Sequence, residues 1–306
     1  MELQQYLKNL TPPKGPIDII LDTDAYNEID DQFAISYMVK NTEKFRVKGI
    51  CAAPFLNQKS VSPADGMKKS YDEILKLLTF MGKEELIPLV HRGSETYLPD
   101  ETTPVNSDAA DFMAETAKGY TAENPLYIVA IGAITNVASA ILKNPAMAET
   151  CVFVWLGGHG VHIPNAATEF NMVQDIAGAR VLLGCGAPVV LLPCFGVVDH
   201  VTTSKQELEY WLLGKNDLCT YLCENTVQEA ESYAAGKPWT RVIWDITAVA
   251  WLLNENDRFM CDKLISSPIP EYDKHYVTET NRHFAKYVWH INRDALFEDL
   301  FRVLAE

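Results

Sequence analysis

A chain of 306 residues with 48% apolar and 22% charged side chains has a globular composition and enough length to bury a large core. Its formal net charge of −15 argues against nucleic acid or an anionic membrane surface as a partner, because basic patches bind both. No apolar run approaches a membrane span, and Met1 to Lys8 lack the basic-then-apolar pattern of a secretion signal, so a cytoplasmic protein is expected.

The first predicted strand, residues 17–21, is apolar and β-branched and runs into Asp22-Thr23-Asp24. A second acidic pair, Asp30-Asp31, opens a helix predicted over 30–39. Further strands are predicted at 47–52, 86–90, 126–130, 152–156 and 188–192, with helices at 61–78, 107–118, 134–142 and 175–183 between them. This alternation predicts an α/β fold, a mostly parallel central sheet with helices on both faces. Helices follow at 205–213, 216–235 and 245–253, then antiparallel-type alternation over 274–291 and a last helix at 294–304. With no linker composition or repeat, residues 1–306 read as one domain with a helical and β-rich C-terminal elaboration. The seven scattered cysteines read as buried, reduced thiols.

Chemistry concentrates where strands end. Asp22, Asp24, Asp30 and Asp31 fall at the carboxyl edge of the first strand, where open α/β sheets bind ligands. Like charges so close repel unless a cation or shared protons compensate them. Hard oxygen donors favour Ca²⁺ or Mg²⁺ over zinc. Helix capping accounts for Asp30 and Asp31 but not for the pair across the turn. Four further segments belong with these acids: Phe55 to Gln58, with Asn57; Ile131-Gly132-Ala133-Ile134-Thr135-Asn136, where the Ile131 carbonyl is left free to point outward; Glu169-Phe170-Asn171, after the turn Gly157-Gly158-His159-Gly160; and Trp244-Asp245, where an acid opens a helix behind an aromatic. Singly, each reads as well as a cap, a turn or a core residue.

Together these motifs resemble the nucleoside hydrolase family, the inosine–uridine type and its purine-specific relatives, through nearly the whole chain. The matches are Asp-x-Asp with a following Asp-Asp (Asp22, Asp24, Asp30, Asp31), the glycine turn Gly132 to Asn136 with Ile134 for the family's leucine, Glu169-Phe170-Asn171, and the helix opened by Asp245. The resemblance implies calcium-dependent hydrolysis of the N-glycosidic bond of ribonucleosides. It implies Ca²⁺ held by Asp24, Asp31, Asp245 and the Ile131 carbonyl, with Asp24 as the base for a bound water. It gives Asp30, Asn57, Glu169 and Asn171 to the ribose hydroxyls, and so a preference for ribosides over 2′-deoxyribosides. A small-molecule ribonucleoside is then the expected partner, and a homodimer or homotetramer stays open.

Two departures bear on specificity. Five residues, Ala25 to Ile29, separate Asp24 from Asp30 where the family has three, so that loop is remodelled, and Asn27 or Glu28 either reaches the pocket or faces water. Trp244 stands where the inosine–uridine type carries an acidic histidine; purine-specific relatives also carry tryptophan and stack it on the base, which implies a purine preference here. Tyr97 and Trp239 are candidates for a second stacking aromatic. Asn165 lies two residues from the position that contacts the 5′-hydroxyl, and His159 reads either as a pocket-lining residue or as a cap of the glycine turn, the cap being preferred. Two rivals share features of the chain: a Mg²⁺-dependent haloacid-dehalogenase-like phosphatase with Asp22 as nucleophile, and a non-catalytic riboside-binding protein. The first needs a later Gly-Asp pair, and the chain has none.

Overall fold

A computed structural model describes residues 1–306. Eight strands form the central sheet: β1 (Ile17–Thr23), β2 (Phe45–Ala52), β3 (Val90–Arg92), β4 (Leu126–Ala130), β5 (Cys151–Leu156), β6 (Val189–Leu192), β7 (Met260–Ser266) and β8 (Phe284–Ile291). Their order across the sheet is β3-β2-β1-β4-β5-β6-β8-β7. All neighbours run parallel except the edge pair β8 and β7. Strands β4, β5 and β6 are buried along their whole length, as expected of parallel strands covered on both sides.

Two groups of helices cover the sheet. Asp31–Lys40 packs against Ile246–Trp251, Arg293–Ala305 and Pro63–Phe80, while Thr135–Lys143 packs against both Asp108–Thr116 and Ile176–Gly184. Side chains start several of these helices. Ser62, Ser107, Asp175 and Asn216 each accept a backbone N–H from the first turn, so a polar cap satisfies a donor that the helix cannot.

The parallel sheet and its alternating helices match the sequence reading. Three details differ. Residues 84–89 form a 3₁₀ helix containing Pro88, and the strand begins only at Val90, because proline cannot donate to a ladder. The 274–291 stretch is not a simple antiparallel pair: β8 runs parallel to β6 and antiparallel to β7, a strand that the sequence did not signal. Tyr276–Val277 instead pairs with Ile269–Pro270 in a separate two-stranded ribbon. All seven cysteines are free, and no helix is long and apolar enough to cross a membrane.

The chain fills β1, β2 and β3 in one direction, then crosses back to place β4 on the other side of β1. That reversal opens a crevice over the carboxyl ends of β1 and β4. Asn136 ties its floor together. Its Nδ2 donates to Asp22 Oδ1 (2.8 Å) and to the Ala52 carbonyl (3.2 Å), and its Oδ1 accepts the Ser94 N–H (2.7 Å). One buried amide therefore joins the ends of β1 and β2 to the loop after β3. Asn136→Ala strands a buried N–H and removes the only donor to a buried carboxylate, so a stability loss of about 2–4 kcal/mol is expected. Chemical denaturation followed by circular dichroism measures it; a loss under about 0.5 kcal/mol would remove this role from Asn136.

Candidate active site

Over the ends of four adjacent strands, β1, β4, β5 and β6, lies a cavity of about 170 Å³. Asp24 and Asp30 come from the two ends of the loop after β1, and Asp31 from the first turn of the next helix. Ile131 follows β4, Leu156 ends β5, and Cys194 follows β6. Trp244 and Asp245 arrive from the segment between the short strand Arg241–Val242 and the helix Ile246–Trp251. The Ile243 N–H bonds to the Val201 carbonyl (2.9 Å) and fixes that approach.

Side-chain oxygens of Asp30, Asp31 and Asp245 lie within 4.8 Å of one another, and all three residues are buried. Asp24 stands beside this trio with its Oδ2 buried and unpartnered. Burial pushes the carboxyl groups of Asp24, Asp30 and Asp245 well above the ordinary range, and their mutual repulsion adds to it. Burial raises Asp31 too, to about 7, against hydrogen bonds from Thr23 and Asp245. The Thr23 hydroxyl donates to Asp31 Oδ1 at 2.5 Å, and the Trp244 backbone N–H to Asp30 Oδ2 at 2.9 Å. No lysine or arginine lines the cavity. A hard, oxygen-only donor set with an orphaned carboxylate oxygen fits a divalent cation of the calcium type.

Of the expected calcium ligands, Asp31 and Asp245 belong to the trio; Asp30, assigned to the ribose, joins them, and Asp24 lies just outside. The Ile131 carbonyl is on the cavity wall and accepts from Asn171 Nδ2 (3.2 Å), which also donates to the Leu156 carbonyl (3.1 Å). Both hydrogens of that amide are spent on strand-end carbonyls, leaving Oδ1 as its free acceptor. Glu169 lines the cavity while capping its own helix. Its carboxylate accepts from the backbone N–H groups of Asn171 (2.8 Å), Gly158 (2.8 Å) and Met172 (3.0 Å). Burial nevertheless raises its pKa.

Asp22 is the fourth acid of the opening motif, and it stays out of the cavity. Asn136 holds it, and burial lifts its pKa to about 7. The phosphatase alternative loses its nucleophile on this point. Asn57 does not reach the wall either. Its Nδ2 donates to Asn27 Oδ1 (2.6 Å), and it is Asn27 that faces the cavity. The longer loop supplies this residue together with Glu28, whose carboxylate is gripped by Arg241. Arg241 also bonds Glu229 (3.3 Å), which Lys59 holds from the other side (2.6 Å). Tyr97 hydrogen-bonds Gln174 (2.6 Å), and neither Tyr97, Trp239 nor Asn165 lines the cavity.

Among the wall residues, the sequence did not single out Leu156, Phe170 or Cys194 as parts of a site. Phe170 is the second aromatic; its only signal was its place inside the Glu-Phe-Asn motif. His159 faces the cavity rather than merely closing its turn.

The model of the inosine-uridine preferring nucleoside hydrolase family matches residues 19–286. The chain is a nucleoside hydrolase. It is 25% identical over 230 residues to the pyrimidine-specific ribonucleoside hydrolase RihA of Escherichia coli, a match covering 66% of this chain and 73% of that one. The enzyme of the same name from Escherichia fergusonii matches equally. Among solved structures, the plant nucleoside hydrolase PpNRh1 superposes with a TM-score of 0.75 at 20% identity, over 95% of this chain and 99% of that one. The purine-preferring ribonucleoside hydrolase of Gardnerella vaginalis does so at 0.73 and 18%, over 94% and 98%. The family's members are N-ribosyl hydrolases, so this nucleoside hydrolase acts on ribonucleosides.

The relay through Asn57 is open to a double-mutant cycle on KM for a ribonucleoside. Asn27→Ala, Asn57→Ala and the double variant should all raise KM by about the same factor, since coupled partners are non-additive. Losses that simply multiply would show that Asn57 meets the substrate independently.

Proposed function

We propose that this nucleoside hydrolase uses a calcium ion to cleave ribonucleosides, purines in preference to pyrimidines. The observation that carries this is the set of four buried carboxylates gathered at strand ends, beside a half-buried tryptophan on the same wall. Asp31, Asp245 and the Ile131 carbonyl would hold the ion, with Asp24 and Asp30 completing the acidic cluster. When bound, a divalent cation offsets the repulsion among these groups and acidifies a water.

The chain's own residues then divide the work. Asp24 carries the unpartnered oxygen, placed to accept a proton from the attacking water. Asp30, Glu169 and the free Oδ1 of Asn171 are acceptors, matched to ribose hydroxyls, which donate. The same carboxylates stabilise positive charge developing on the sugar at C1′. Asn27, steadied by Asn57, brings an amide to that side. Trp244 offers an indole face to the base, and the wider, electron-poor ring system of a purine is the best partner for such a face.

Calcium should raise the melting temperature of the metal-stripped protein by several degrees, since a ligand bound only by the folded state stabilises it. Asp24→Asn and Asp245→Asn should each lower turnover by at least about 10³-fold, and Asp245→Asn should also lose the calcium-induced shift. Full ribose release in chelator would defeat the calcium reading.

The base preference is tested with inosine, adenosine, guanosine, uridine and cytidine. Stacking of this kind is worth about 1–3 kcal/mol. Trp244→Ala should therefore lower purine kcat/KM by about 5- to 150-fold and leave the calcium-induced shift intact. An unchanged purine-to-pyrimidine ratio in that variant, or a wild-type preference for uridine and cytidine, would refute the proposal.

A further inference from the structure

The ionised carboxylates of the cavity are acceptors, and they suit the donating hydroxyls of a sugar. A departing base has the opposite need. It takes the electron pair of the breaking C1′–N bond, so it is stabilised by an N–H aimed at one of its acceptor atoms. Side chains on the wall with an N–H not already spent are Asn27, Trp244 and His159. Asn27 sits in the loop between Asp24 and Asp30, on the carboxylate side. The indole N–H of Trp244 lies in the plane of its ring and cannot point at a base stacked on its face. His159 is left, and it comes from a different loop, the one after β5.

That loop is clipped to the loop after β6. The Cys194 N–H donates to the Gly158 carbonyl (2.8 Å), the Gly160 N–H to the Phe195 carbonyl (2.9 Å), and the Phe195 N–H to His159 Nδ1 (3.3 Å). The bends require glycine, with φ of +75° at Gly158 and +91° at Gly196. Because a backbone N–H points at Nδ1, that nitrogen must carry its lone pair and the ring proton must sit on Nε2. The contact also disfavours the imidazolium, in which both nitrogens are donors. Burial lowers the pKa of this imidazole in the same sense, against the nearby Asp199. Nε2 has no protein partner and is not buried.

We propose that His159 is the hydrogen-bond donor to the leaving base, acting as a neutral Nε2–H group and not as an acid. The inference rests on the ribohydrolase reading above. As the C1′–N bond breaks, its electron pair passes to the base, and Nε2–H stabilises that charge at purine N7 or pyrimidine O2 while keeping its proton. The base takes its final proton from water. One donor of this type serves either class of base, so the choice between classes falls to Trp244.

A comparison of leaving groups tests the proposal. Inosine and uridine need help in expelling the base, whereas 4-nitrophenyl riboside releases a stabilised phenolate and needs little. In the calcium-loaded protein, His159→Ala should lower kcat for both nucleosides about 10²-fold, the usual cost of one such donor, and for the nitrophenyl riboside less than about 3-fold. His159→Gln, which retains an N–H, should recover part of the loss and carries the test if the alanine variant folds poorly. Equal losses on all three substrates would overturn the proposal, because they would place His159 on the ribose or in the framework. No loss on the nucleosides would overturn it as well. A wild-type protein that cleaves none of the three would instead defeat the ribohydrolase reading and take this inference with it.

Discussion

Repulsion among Asp24, Asp30, Asp31 and Asp245 is the constraint on which the rest of the site depends. All four are buried, and no cationic side chain lines their cavity. The fold tolerates them by supplying fixed donors, such as the Thr23 hydroxyl to Asp31 and the Trp244 backbone N–H to Asp30. These donors do not balance the charge, because burial still lifts every one of the four carboxyl groups. A cluster in that condition is costly as an empty framework and inexpensive once a divalent cation sits in it. A metal bound there would couple its binding to folding.

The surrounding framework keeps these acids from relaxing apart. Asn136 anchors Asp22 and the ends of β1 and β2 from below. Asn171 spends its amide hydrogens on the carbonyl that follows β4 and the one that ends β5, and Glu169 caps the helix that carries Asn171. The longer loop between the two acidic pairs is held from outside by Arg241, itself set between Glu28 and Glu229. Each clamp is local and polar, yet each joins segments distant in sequence. The cavity thus gets its precision from strand ends rather than from loose loops.

Acceptors and donors separate within the cavity. The acids cluster over β1 and the segment after Trp244, while His159 comes from clipped loops beyond β5 and β6. A riboside has the same polarity: hydroxyls that donate on the sugar, ring nitrogens and carbonyls that accept on the base. Trp244 and Phe170 add aromatic surface to the same wall.

The sequence by itself determined the parallel sheet, because alternating apolar runs and helical patterns leave few other packings. It also marked Asp24, Asp31, Asp245, Glu169, Asn171 and Trp244, since functional groups at strand ends stand out against apolar strands. Tertiary structure alone decided that Asp30 joins the metal-type trio, that Asn27 replaces Asn57 on the wall, and that Asp22 is turned away onto Asn136. It also brought β7 to the edge of the sheet and His159 and Phe170 to the cavity. The physical reason is common to these cases. A motif fixes residue type and order, but the direction of a side chain and the partner that claims its hydrogen bonds depend on which distant segments are packed beside it.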